Sequence, residues 1–109
     1  MSIILKRKRF MRNISKIIWS EEAINNLRYI IDYLENNWTE REVKKFVYKL
    51  EKLVDTIKNQ PFAFPASKKM GIRRAVLTRQ TAIYYEIFYD TIKIVTLFDT
   101  RRNPSKLII

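Results

Sequence analysis

The chain has no cysteine and no histidine among its 109 residues. Without cysteine there is no disulfide framework and no thiolate metal site. Losing histidine as well removes the commonest general base and the commonest metal ligand. Zinc chemistry and Ser-His or Cys-His nucleophilic catalysis are therefore excluded, and no cofactor is expected. Glycine occurs once and proline three times, so no Gly-rich phosphate loop is available. No apolar run is long enough to cross a bilayer. The opening residues run from apolar (Ile3, Ile4, Leu5) to basic, the reverse of a secretory signal, and a cytoplasmic location is expected. Acids are scarce too, with 11 against 22 bases, for a formal net charge of +11.

What is present fits one domain. Hydrophobic residues make up 47% and aromatics 13%, enough for a core. The charge is unevenly spread. Residues 1–19 net +6, residues 20–59 net −1, and residues 60–90 and 91–109 net +3 each. A one-sided basic surface concentrates and captures polyanions, so an anionic partner is expected. Residues 1–13 read as a basic, poorly ordered tail before a single domain over 14–109, and Met11 is a second candidate for the natural start.

Ile14 to Trp19 is a β-prone run. Ser20 offers an N-cap, with Glu21 and Glu22 in the first turn. Ala23, Ile24, Leu27, Ile30, Ile31 and Leu34 then recur at helical spacing until Asn36-Asn37. Thr39-Glu40-Arg41-Glu42 is a capping box for a second helix, whose stripe runs from Val43 to Ile57 and stops at Asn59 and Pro61. The short link makes the two helices an antiparallel hairpin. Past Pro61–Pro65 and the polar turn at Gly71 the period becomes two. Strands are expected over Ile72–Leu77, Thr81–Tyr89 and Ile92–Phe98, with turns at Arg79-Gln80 and Asp90-Thr91. Glu86 marks the solvent side of the long strand. That places Tyr84 on an open face and turns Ile83, Tyr85 and Ile87 toward the helices. The fold class is α+β, order β-α-α-β-β-β, with the hairpin on one face of a small, mostly antiparallel sheet.

The candidate site is a set of bases on or beside that sheet: Lys68, Lys69, Arg73, Arg74, Arg79, Arg101 and Arg102, with Tyr84 and Asn103. Arginine forks match phosphate geometry and tyrosine stacks on bases. Asp32, Glu35 and Glu51 read as the solvated backs of amphipathic helices rather than an acid/base pair.

Several segments together resemble the RelE/ParE superfamily of toxins from bacterial type II toxin–antitoxin modules, which includes plasmid stabilisation proteins. They are Ile17–Ala23, Ile30–Leu34, Pro61–Pro65, Ile72-Arg73-Arg74, Ile83–Ile87 and Ile94–Pro104, and the resemblance spans residues 14–107. It implies the same fold and a cognate acidic antitoxin, in a toxin–antitoxin hetero-oligomer or a homodimer. It also implies one of two targets. ParE-like members poison DNA gyrase by binding; RelE-like members cleave mRNA on the ribosome. Of four RelE-like nuclease positions, Lys68 and Lys69 stand loosely for the lysines and Arg102 matches the arginine after the last strand. The long-strand arginine falls at Ala82 and the terminal tyrosine near Ile108. Two roles are thus missing, so the expectation is a gyrase-directed inhibitor that is not an enzyme. The alternatives are a metal-independent mRNA endonuclease using Arg73, Arg79, Tyr84 and Arg102, and a non-toxic basic nucleic-acid-binding module.

Overall fold

The computed structural model describes residues 14–68 and 71–99. Strand β1 (Lys16–Trp19) is followed by helices α1 (Glu21–Asn37) and α2 (Glu40–Asn59), then strands β2 (Arg73–Val76), β3 (Thr81–Phe88) and β4 (Thr91–Asp99). The sheet order is β1-β4-β3-β2. β1 runs parallel to β4, while β4, β3 and β2 form antiparallel ladders.

Each helix starts where its cap predicts. The Ser20 hydroxyl accepts the Ala23 amide at 2.9 Å, and the Thr39 hydroxyl accepts the Glu42 amide at 3.3 Å. Trp38 and Thr39 alone link the helices, so α2 folds straight back on α1. No glycine closes α1. Instead the Asn37 side chain donates to the Tyr33 carbonyl and the Trp38 amide to the Leu34 carbonyl, each at 2.8 Å.

Ile30, Leu34, Phe46, Leu50 and Ile57 bury the inner faces of the helices against Ala75, Ile83, Tyr85, Ile92, Ile94 and Leu97 of the sheet. Burying each large aliphatic side chain contributes roughly 1.5–3 kcal/mol. Ile24, grouped with the stripe by spacing, is instead exposed at the stripe's edge.

One irregularity positions the top of the sheet. Tyr84 pairs with Thr96 but Tyr85 pairs with Ile94, so Val95 is an extra residue in β4. The Val95 carbonyl accepts the Ser20 hydroxyl at 2.6 Å, and the Ser20 amide donates to the Ile94 carbonyl at 3.0 Å. The bulge thereby ties the start of α1 to β4.

Three expectations change. β1 begins at Lys16 rather than Ile14; Ser15 is held instead by its amide on the Asp90 carbonyl and its hydroxyl on the Asp90 carboxylate. That hydroxyl, foremost, holds the Asp90 carboxyl below the usual range. The β3–β4 turn is Tyr89-Asp90, with Thr91 already in the strand, because a two-residue turn matching strand twist needs positive φ and Tyr89 supplies 57°. Most consequential, Tyr84 is not open. It faces away from the helices as expected, yet it is only 7% exposed, in a second small cluster with Ile72, Ala82 and Phe98.

The Pro61–Pro65 crossing is fastened from beneath. Tyr85 donates its hydroxyl to the Pro61 carbonyl at 2.6 Å, and its ring meets Phe64 edge-on. Burial pushes the Tyr85 hydroxyl up to about 12, partly offset by the Arg73 charge. The unfolded chain ionises near 10, so the fold favours the neutral phenol. This contribution is whole below about pH 10 and disappears as pH rises toward 12, a loss on the order of 2–3 kcal/mol. Urea titrations of wild type and Tyr85→Phe from pH 9 to 12 check it. The wild-type advantage should shrink across that window, and a constant difference would contradict the assignment.

Candidate functional site

Arg73 and Arg74 are neighbours in β2, so strand alternation sends them to opposite faces. Arg73 pairs with Tyr85 and goes to the helix side. Its guanidinium donates to the Phe64 carbonyl at 2.6 Å and the Phe62 carbonyl at 3.3 Å, and lies 5.1 Å from the Phe62 ring centre. The structure thus engages Arg73 in fastening the Pro61–Pro65 crossing.

Arg74 pairs with Tyr84 on the other face. Its Nε donates to the Tyr84 hydroxyl at 3.2 Å, leaving its terminal amino groups to a ligand. Beside them Arg79 stands exposed in the β2–β3 turn. The Thr78 hydroxyl shapes this turn by accepting the Gln80 amide at 3.2 Å and the Thr81 amide at 3.1 Å. Arg74, Arg79, Tyr84 and Phe98 line a cleft of about 160 Å³, closed at its base by Ala82 and Thr81. The Thr81 hydroxyl is buried without a hydrogen-bond partner among the described residues.

Of the expected site residues, the structure brings together Arg74, Arg79 and Tyr84. Arg73 lies on the far face, and Lys68 is exposed ahead of Gly71, away from the cleft lining. Lys69, Arg101, Arg102 and Asn103 lie outside the described residues. Sequence reasoning missed Thr78, Gln80 and Thr81. Their signal was the polar run Thr78-Arg79-Gln80-Thr81, of which only Arg79 was expected in the site, with Gln80 read as turn and Thr81 as the start of a strand. The cleft offers guanidinium, hydroxyl and amide donors. Among the described residues lining it there is no carboxylate, imidazole or amine to take a proton. Nor do the described residues contain a group of acids able to hold a metal ion. No described helix is long and apolar enough to cross a membrane.

A helical hairpin on a four-stranded mixed sheet is the fold that this chain shares with solved toxins of type II toxin–antitoxin systems. Residues 17–104 match the family described as the ParE toxin of the type II toxin–antitoxin system parDE, and the chain belongs to that family. Solved structures agree on the fold. The chromosomal ParDE toxin–antitoxin system from P. aeruginosa superposes with a TM-score of 0.67 at 18% identity, covering 80% of this chain and 96% of that one. A YoeB/ParE toxin from Agrobacterium tumefaciens gives 0.57 at 15% identity, covering 77% and 96%. The DinJ–YafQ complex from E. coli gives 0.53 at 14% identity, covering 78% and 92%. No curated protein sequence matches the chain.

Proposed function

We propose that this toxin arrests growth by binding its target rather than cutting it, that the target is DNA gyrase, and that an acidic antitoxin encoded beside it holds it inactive. The observation that carries this reading is the makeup of the cleft. Cleavage of RNA at a 2′-hydroxyl needs a group to accept its proton and others to stabilise the pentavalent phosphate. Arg74 and Arg79 suit the second task. The long-strand position where RelE-like nucleases carry arginine is Ala82, buried in the floor, and no described lining residue suits the first. Such a cleft holds an anionic surface without transforming it.

The second reading is a ribosome-dependent mRNA endonuclease. It draws on the Arg74–Tyr84 pair, which lines one cleft together with Arg79, and on Arg102, which the family resemblance adds and which lies outside the described residues. Expression of the chain with and without its neighbouring gene product separates the two. The expected outcome is growth arrest, relieved by the neighbour, with intact mRNA and an induced DNA-damage response. Purified toxin should then inhibit gyrase supercoiling. Arrest with cut mRNA that Arg102→Ala abolishes would instead establish the nuclease, and absence of arrest would sink both.

A further inference from the structure

β1 is an edge strand: among the described residues only β4 pairs with it. Beside it, Ile17 and Trp19 meet Leu50 and Val54 of α2 in a groove of about 270 Å³ with an apolar floor. Glu51 and Asp55 stand exposed on its rim, and Lys58 is the one base among the described lining residues. The two acids are four residues apart on one helix face, an unfavourable spacing for like charges. Neither is in an ion pair among the described residues. The chain enters β1 at a fixed point two residues before Ile17. Asp90 holds both the amide and the hydroxyl of Ser15, and Ile14 packs on the core. Ahead of that point are residues 1–13, outside the described residues, with five bases and no acid. They precede residue 17, where the family match begins.

We propose that this groove is the docking site of the chain's own residues 1–13. Apolar side chains of Ile3-Ile4-Leu5 fill its floor, and bases of Lys6-Arg7-Lys8-Arg9 pair with Glu51 and Asp55. Three observations carry it. The chemistry matches in kind and in sign, since an apolar triplet followed by four bases meets an apolar floor rimmed by two acids. The reach is sufficient. Trp19, the lining residue of β1 farthest from Ser15, is four residues along the strand, about 13 Å, whereas the ten residues from Leu5 to Ser15 can span about 33 Å. The segment is also covalently attached, and a short linker gives an effective concentration on the order of millimolar. Other occupants meet the wrong charge. A polynucleotide would set phosphates against Glu51 and Asp55. A second copy in a two-fold contact would bring the acids of both copies together. The arginine cleft has the segment's own sign and repels it. Docking here covers the free edge of β1, whose unpaired backbone groups otherwise invite other chains. It also engages charge that composition alone assigns to a polyanion.

The test uses the full chain. With no native cysteine, Ser2→Cys carries a single nitroxide spin label, and amide NMR reads which signals the label broadens. The signals of Ile17, Trp19, Leu50 and Val54 should lose most of their intensity at every protein concentration. Those of Thr78 and Gln80, at the arginine cleft, should keep theirs. Glu51→Lys/Asp55→Lys and Ile3→Ser/Ile4→Ser/Leu5→Ser should each restore the groove signals. The matched reversal Asp32→Lys/Glu35→Lys on α1 should leave the wild-type pattern in place. All four of these acids are exposed, so the charge variants stay folded, which circular dichroism verifies. Groove signals that the label leaves sharp would overturn the proposal. So would a pattern that survives either the acid or the apolar substitutions, or one that the α1 control also removes. Broadening of isotope-labelled chains by separate spin-labelled ones would place the segment on a second copy and overturn it as well.

Discussion

Arg73→Ala is expected to lower the melting temperature by about 10–20 °C, whereas Arg74→Ala and Arg79→Ala leave it within about 3 °C. The three arginines look alike in sequence, but their partners separate them. Arg73 donates to two backbone carbonyls of the Pro61–Pro65 crossing and covers the Phe62 ring. Hydrogen bonds from a charged donor contribute about 1.5–3 kcal/mol each. Discounted for partial exposure, the loss is about 2–4 kcal/mol, which for a domain of this size gives the stated shift. Arg73→Lys should recover only part, because an ammonium can replace the one terminal nitrogen that serves both carbonyls but not the flat guanidinium face over the Phe62 ring. Arg74 and Arg79 are exposed, and substituting them removes a single side-chain bond or none that shapes the fold. Thermal melts by circular dichroism check this, and growth arrest measured alongside adds the functional half. The Arg74 and Arg79 variants should lose toxicity while staying folded. The Arg73 variant should lose it only in proportion to the folded protein lost. A stable, inactive Arg73→Ala protein would place Arg73 in the site instead.

Ser20→Ala should be the costliest single-atom change at a helix end, about 2–4 kcal/mol. An ordinary cap contributes about 0.5–2 kcal/mol. Ser20 does more, because the hydroxyl that accepts the Ala23 amide also donates to the Val95 carbonyl in the β-bulge. Without it, that carbonyl loses its side-chain partner in a part-buried setting, at a further cost of roughly 1–3 kcal/mol. Thr39→Ala provides the internal comparison. Its bond to Glu42 is 3.3 Å long and exposed, so its loss should be about 1 kcal/mol or less. Ser20→Asp sharpens the test further. A carboxylate still accepts at the cap but has no proton for Val95, so it should rescue the helix end and not the bulge. Chemical denaturation of the four proteins measures all of this. Equal effects at Ser20 and Thr39 would remove the bulge from the account.

Much of the architecture was legible in local chemistry. The caps at Ser20 and Thr39, the helical stripes, and the change to period two after Gly71 depend on contacts within a few residues, where sequence spacing is nearly spatial position. So were the inward turn of Ile83 and Tyr85 and the family itself, since the motifs lie in a fixed order along most of the chain. The candidate site was legible only in part. That Arg74 and Arg79 are basic and near the sheet follows from composition. That Arg73 is committed to a carbonyl pair nine and eleven residues upstream does not.

The basic character of the chain shows the same division. Summed along the sequence, residues 20–59 are almost neutral and read as scaffold. In the folded molecule a net charge near zero hides a sorted one. Lys45 and Lys49 face the β2–β3 turn, while Glu51 and Asp55 lie with Lys58 along a different groove beside β1. The sequence by itself determined the helices, the strands, the lack of imidazole and thiolate chemistry, and the excess of positive charge, because each is a property of residues or short spacings. Only the tertiary structure decided which charges share a surface, why Tyr84 is covered, and how a bulge at Val95 comes to hold Ser20. Those depend on strand register and on helix rotation, which bring together groups as many as 75 residues apart.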